Sequence, residues 1–270
     1  MHEVRVAGAT IAFETWGRPN GGAPLVLIHG TAANTSWWDH IAEPLAGDRL
    51  VVAIDLTGHG DSSHRPVYDL DTWTDEVAAV IAAVGGRAAY VVGHSLGGDL
   101  AAVAAQRGDV PIAAIAMIET ARNPRAPHHP VVTPRPRAYF ATEDDALARF
   151  ASVPTRGEGA AAVVDRLARS SVVRRDEGWT WKHDTTMPSV LQAIVPTLDD
   201  VLPSLTCPMA IVRGEHGLLT DDDVDALQAL VPGLDVETIA DAGHHPMLDN
   251  PDALIEVLRS LIAQWSLRDG

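Results

Sequence analysis

The strongest chemical signal in this 270-residue chain is Gly93-His94-Ser95-Leu96-Gly97-Gly98. It follows the apolar run "AAYVV" directly and opens the alanine-rich, helix-like stretch "LGGDLAAVAAQR". A Gly-x-Ser-x-Gly pattern alone arises by chance, so the placement is what gives it weight. A serine between strand and helix sits on a tight turn where flanking glycines avoid Cβ clashes. Such a turn presents the hydroxyl at the carboxyl edge of a sheet. The Leu96 amide, at the helix start, can then donate to a developing oxyanion. Ser95 is therefore a candidate nucleophile, and it needs a base and a carboxylate to orient that base.

Other segments offer those groups. "LVLIHGTAANTSWW" ends an apolar run on His29-Gly30, and the Thr31 amide is the candidate second oxyanion donor. His29 is read as a hydrogen-bonded histidine shaping the loop, because it lies on a different strand before the nucleophile. In the glycine-rich turn "DLTGHGDSS", His59 and Asp61 are read as structural. "TIADAGHHPMLDNP" follows the last strand-like run and supplies His244 and His245. Carboxylates stand in two places: Glu119 closes the run "IAAIAMIE", while Glu215, Asp221, Asp222 and Asp223 lie in "RGEHGLLTDDD". Trp37, Trp38, Trp73, Trp179 and Trp181 are candidates for an apolar pocket, with core packing the commoner use of each. "WTWKHD" puts Lys182, His183 and Asp184 where they could anchor one segment on another.

These residues need a scaffold, and the apolar pattern supplies one. Runs at 23–30, 49–55, 88–95, 112–119 and 208–214 are β-branched or aliphatic throughout, as in strands covered on both faces, and another strand follows at 235–240. The opening "EVRVAG" and "TIAFETWG" alternate, which suits an antiparallel hairpin at a sheet edge. Helices are expected at 36–46, 72–84, 96–107, 222–231 and 251–266, the last with Asn250 as N-cap and Pro251 at its first position. This alternation predicts an α/β fold with a mostly parallel central sheet flanked by helices. It fails at about 120–200, where a proline-rich arm, "ARNPRAPHHPVVTPRPR", precedes helical stretches near 142–152 and 158–171. The expected organisation is a core of 1–120 and 200–270 with a helical cap inserted at 121–199.

The order "HG", "DLTGHGDS", "GHSLGG" and "AGHHPMLDNP" resembles the α/β-hydrolase superfamily over about 10–119 and 205–266. The resemblance implies a triad in the chain order Ser, acid, His. It assigns the base to His244 and leaves His245 as a neighbour or rim residue. It also shows a departure: the usual aspartate position after the strand at 208–214 falls on Gly217. Either a carboxylate of that loop serves, or the acid is Glu119, at the strand end used by a minority of the superfamily. Ser95, Glu119, His244 keeps the expected order. Serine rather than aspartate as nucleophile implies acyl transfer to water, and so an ester, lactone, thioester or amide substrate.

Bulk properties narrow the partners. With 36 acidic and 20 basic residues, the formal charge of −16 repels nucleic acid and anionic lipid. One cysteine, Cys207, excludes an internal disulfide. No apolar stretch approaches the ~20 residues of a membrane span, and the N-terminus lacks the layout of a signal peptide. A cytoplasmic protein is expected, with a small-molecule substrate and at most a second copy of itself as partner. No cofactor or metal is implied, since no histidine or acidic cluster has ligand spacing along the chain and the pairs at 128–129 and 244–245 are expected to diverge. Three readings remain: a serine esterase, a carbon–carbon bond hydrolase or cofactor-free haloperoxidase-like enzyme, and a non-catalytic ligand-binding relative.

Overall fold

The apolar runs form one eight-stranded sheet of order β1-β2-β4-β3-β5-β6-β9-β10. Its strands are β1 (His2–Val6), β2 (Ala9–Trp16), β3 (Leu25–Ile28), β4 (Val51–Ile54), β5 (Ala89–His94), β6 (Ile112–Ile118), β9 (Met209–Gly214) and β10 (Asp235–Ile239). The computed structural model describes residues 1–20, 22–120, 136–150, 160–185 and 198–268. β1 and β2 are the expected antiparallel hairpin, and β2 is also antiparallel to β4. Every pairing from β4 to β10 is parallel.

Both faces of the sheet are covered, which is why its central strands do not alternate in polarity. Val26 and Ile28 point to one apolar layer with Trp73, Val77 and Ile81 of α2 (Leu70–Ala83) and Leu100 of α3 (Leu96–Arg107). Leu25 and Leu27 point the other way. There they meet Trp38, Ile41 of α1 (Asp39–Leu45), and Leu258 and Trp265 of the C-terminal helix Pro251–Arg268. Asn250 caps that last helix as expected, its Oδ1 accepting from the Ala253 amide at 3.3 Å. The helix expected at 36–46 is divided: Thr35–Trp38 is a 3-10 turn before α1, whose sixth residue is Pro44. No described helix is long and apolar enough to cross a membrane.

Between β6 and β9 the described residues hold α4 (Glu143–Leu147), α5 (Ala160–Ser170) and a hairpin of β7 (Val172–Arg175) with β8 (Gly178–Trp181). The sequence reading expected helices here and missed the hairpin, whose β-branched and aromatic residues flank an Asp176-Glu177 turn. The expected helix at 142–152 is only the short α4. The proline-rich arm lies, apart from its last two residues, outside the described residues. The "WTWKHD" anchor forms: Lys182 pairs with Asp61 at 2.8 Å, and Asp184 accepts from the Tyr68 hydroxyl at 2.8 Å.

One buried carboxyl lacks such a partner at one of its oxygens among the described residues. Asp99, in the first turn of α3, is 8% exposed, and its Oδ1 has no hydrogen-bond partner among the described residues. Burial raises its pKa well above the ordinary carboxylate value. The native state thus keeps a proton that the unfolded chain gives up near pH 4. Its contribution is fully present below that pH and is lost as pH rises towards the native value. Asp99→Asn is therefore expected to raise Tm relative to the parent at pH 8 and by much less at pH 4, by calorimetry. An equal effect at both pH values contradicts a protonated Asp99.

Candidate active site

The sheet register sets the site. His94 of β5 pairs with Ile118 of β6, and Ile118 pairs with Val212 of β9. The next residues on β5 and β6, Ser95 and Glu119, therefore leave the sheet side by side at its carboxyl edge, where such folds bind ligands. The Ser95 amide donates to the Ile118 carbonyl at 2.9 Å, and the Glu119 amide to the Val212 carbonyl at 2.8 Å. Both residues have left-handed φ, 52° for Ser95 and 49° for Glu119. Non-glycine residues held so cost of order 1–3 kcal/mol each, and such strain clusters at functional sites.

The turn at Ser95 depends on backbone contacts that only glycine permits. A side chain on Gly93 would run into the backbone of Gly97, and one on Gly97 into the carbonyl of Ile28. α3 therefore starts directly after Ser95, hard against β3 and β5, with the Leu96 amide in its first turn and without an acceptor inside the helix. The Thr31 amide follows Gly30 at the end of β3. A side chain on Gly30 would crowd His94 Nδ1 at 2.8 Å and Ser95 Cβ at 3.3 Å, so the Thr31 loop lies against the serine turn.

Glu119 is completely buried and its carboxylate gathers three donors. Oε1 accepts from the Gly214 amide at 2.8 Å, and Oε2 from the Leu218 amide at 2.7 Å. His244 Nδ1 is 3.3 Å from Oε2. A carboxylate can only accept, so Nδ1 is the donor in this contact. The His244 side chain is 30% exposed.

The loop carboxylates are engaged elsewhere. Asp221 pairs with Arg213, Asp223 caps the helix Asp221–Leu230 through Thr220, and Glu215 accepts from the Asp241 amide. Glu215, Asp221 and Asp222 are exposed, and Asp223 is half-buried. Gly217, which looked like a deficit in the sequence, proves to be a requirement. A Cβ there would coincide with the Glu119 carboxylate. The space that an aspartate side chain would fill from β9 is filled by a glutamate from β6.

Two residues were under-read. His94 is buried, and its Nε2 donates to the His244 carbonyl at 2.8 Å, tying the serine turn to the histidine loop. Burial, then the neighbouring His244 and His245, hold its pKa well below the histidine range. The rings of His244 and His245 do not diverge as expected; their centroids are 4.8 Å apart. Burial, then His244, lowers the His245 pKa to about 3. His29 is the expected loop residue: Nδ1 donates to the Gly30 carbonyl and Nε2 accepts from the Leu56 amide. His59 is fully buried beside it.

A cavity of about 310 Å³ adjoins these groups. It is lined by Thr31, Ala32, Trp37 and His245, and by Arg149, Phe150, Ser171, Trp181 and His183 from the segment between β6 and β9. Of the five tryptophans singled out, Trp37 and Trp181 reach this cavity, whereas Trp38 and Trp73 are core. Trp179 pairs through its backbone with Phe140. A larger hollow of about 600 Å³ between α1 and the C-terminal helix touches none of the candidate residues.

The Glu119–Gly217 exclusion is measurable as a coupling. Gly217→Ala should cost about 1–3 kcal/mol of stability by displacing the carboxylate, as overpacking does. In a Glu119→Ala background the same change should cost far less, leaving an interaction energy of about 1 kcal/mol or more in urea unfolding. Additive costs would show that the two positions do not share the space.

Known proteins agree with this architecture. An esterase of Mycobacterium tuberculosis is 29% identical over 272 residues, 96% of this chain and 88% of its own. A pimeloyl-[acyl-carrier protein] methyl ester esterase of Stenotrophomonas maltophilia is 30% identical over 261 residues, 92% of this chain and 96% of its own. An N-formylmaleamate deformylase of Pseudomonas putida is 27% identical over 243 residues, 86% and 85% of the two chains. Among solved structures, a thioesterase domain from the curacin biosynthetic pathway superposes with a TM-score of 0.80 at 21% identity, covering 96% of this chain and 98% of that one. The sequence model of the alpha/beta hydrolase family matches residues 25–257. The chain belongs to the alpha/beta hydrolase family.

Proposed function

We propose that this protein hydrolyses a carboxylic ester or related acyl bond of a small to medium, partly apolar substrate through an acyl-enzyme on Ser95. The observation that carries the reading is the strained strand-to-helix turn at Ser95 beside a His244–Glu119 pair with a 3.3 Å Nδ1–Oε2 separation. Family membership and the esterases among the relatives support the ester class.

In this reading Ser95 Oγ attacks the acyl carbon while His244 Nε2 takes its proton. Glu119 holds the Nδ1–H tautomer and stabilises the imidazolium that forms. The Thr31 and Leu96 amides receive the oxyanion of the tetrahedral intermediate. As that intermediate collapses, His244 returns the proton to the departing alkoxide, leaving the acyl group on Ser95. Water, deprotonated by His244, then attacks the acyl carbon and Ser95 leaves with the returned proton. The insertion acts as a cap, its Phe150 and Trp181 enclosing the apolar part of the substrate against Trp37. A cavity of about 310 Å³ is at the small end for ligand sites. An amide bond is the second reading, favoured by the deformylase among the relatives.

A fluorophosphonate probe should label the wild type and fail on Ser95→Ala; an unlabelled wild type contradicts a serine hydrolase. Glu119→Gln should lower kcat on 4-nitrophenyl esters by ~10²–10⁴-fold, the range for loss of a triad carboxylate. Near-normal turnover in that variant removes Glu119 from the role. Turnover of vinylogous diketones in preference to esters would instead support carbon–carbon bond hydrolysis.

A further inference from the structure

The proposed chemistry uses one of three histidines that the fold brings together. His94 ends β5, while His244 and His245 lie in the loop after β10, yet one ring nitrogen from each lies within 4.8 Å of the other two. The ring centroids are 4.9 Å apart for His94–His244, 5.2 Å for His94–His245 and 4.8 Å for His244–His245. Separation along the chain hides this set, because His94 precedes the pair by 150 positions.

Neither His94 nor His245 is needed for proton transfer in the Ser95 reading. His94 is spent on one hydrogen bond, to the His244 carbonyl. His245 Nδ1 is buried with no hydrogen-bond partner among the described residues. A buried imidazole nitrogen left unsatisfied is uncommon, and a ligand is one explanation for it. His245 also lines the cavity, so the cluster has an open side.

Three imidazoles with one open direction suit a borderline cation. Zn²⁺ takes three histidine nitrogens at ~2.0–2.1 Å and leaves a fourth tetrahedral position for water. Ligand nitrogens in such a set lie roughly 3.3 Å apart, so the rings need to close by at most about 1.5 Å. Ca²⁺ and Mg²⁺ demand oxygen ligands, which the cluster does not offer. A second set, Glu215, His216 and Asp241, is fully exposed and lies away from the cavity lining.

We propose that His94, His244 and His245 form a Zn²⁺ site that, when filled, switches the enzyme off. The metal takes the His244 lone pair that would otherwise accept the Ser95 proton, and its fourth ligand is a water facing the cavity. Zinc binding itself is independent of the hydrolase reading, whereas the inhibitory effect rests on it.

The test is a Co²⁺ titration of the full-length Ser95→Ala protein, followed by displacement with Zn²⁺. One equivalent of Co²⁺ should give the intense visible bands of a tetrahedral nitrogen site, abolished by Zn²⁺. His245→Gln, in a half-buried loop position, and His94→Gln should each weaken binding by at least ~10-fold, while His216→Ala should leave it intact. Thermal melts of each variant establish that it is folded. In the wild type, Zn²⁺ should inhibit ester hydrolysis reversibly, with EDTA restoring it. Absence of bound metal, bands that persist in folded His245→Gln, or bands lost in His216→Ala would each overturn the site. Bound metal without inhibition would overturn the switch and leave the site standing.

Discussion

The buried Glu119 carboxylate is the constraint from which the rest of the site follows. Removing a carboxylate from water is expensive, and only donors that meet it in the interior offset that cost. Here the donors come from two further strands: the Gly214 and Leu218 amides around the end of β9, and His244 after β10. Satisfying one side chain of β6 thus fixes the path of two loops and the tautomer of the histidine. It also dictates residue 217, because the carboxylate occupies the volume where any side chain there would stand.

The sheet provides the rigidity that keeps this arrangement strained. Ser95 and Glu119 follow paired residues of β5 and β6, and both hold left-handed backbone conformations. Each persists because its amide completes a bond to the neighbouring strand. His94 then couples the serine turn to the His244 loop through one hydrogen bond. The three residues proposed to react are positioned by the same register that closes the sheet.

Much of this was legible in the chain. Continuous apolar runs gave the parallel sheet, because strands covered on both faces carry no polar alternation. Gly-His-Ser-Leu-Gly at a strand-to-helix junction marked Ser95, and Glu119 could be named because its strand ends on it. Less visible were relations between distant residues. Gly217 read as a missing acid because only the fold shows Glu119 entering its space. The role of His94 stayed hidden because its partner lies 150 positions on. The β7–β8 hairpin escaped because a four-residue strand carries too short a period to stand out among helical neighbours. Where the segment between β6 and β9 meets the sheet domain, the contacts are specific: Lys182 with Asp61, and Asp184 with the Tyr68 hydroxyl.

If the carboxylate matters by its place and not by the strand that supplies it, an acid grown from position 217 should replace Glu119. The most direct measurement is ester turnover by Glu119→Ala and by Glu119→Ala/Gly217→Asp, with folding of both checked by their melts. The account predicts a severely impaired single variant and a double variant recovering at least about tenfold, roughly 1.4 kcal/mol of transition-state stabilisation. A Glu119→Ala enzyme that turns over esters as fast as the parent would contradict it.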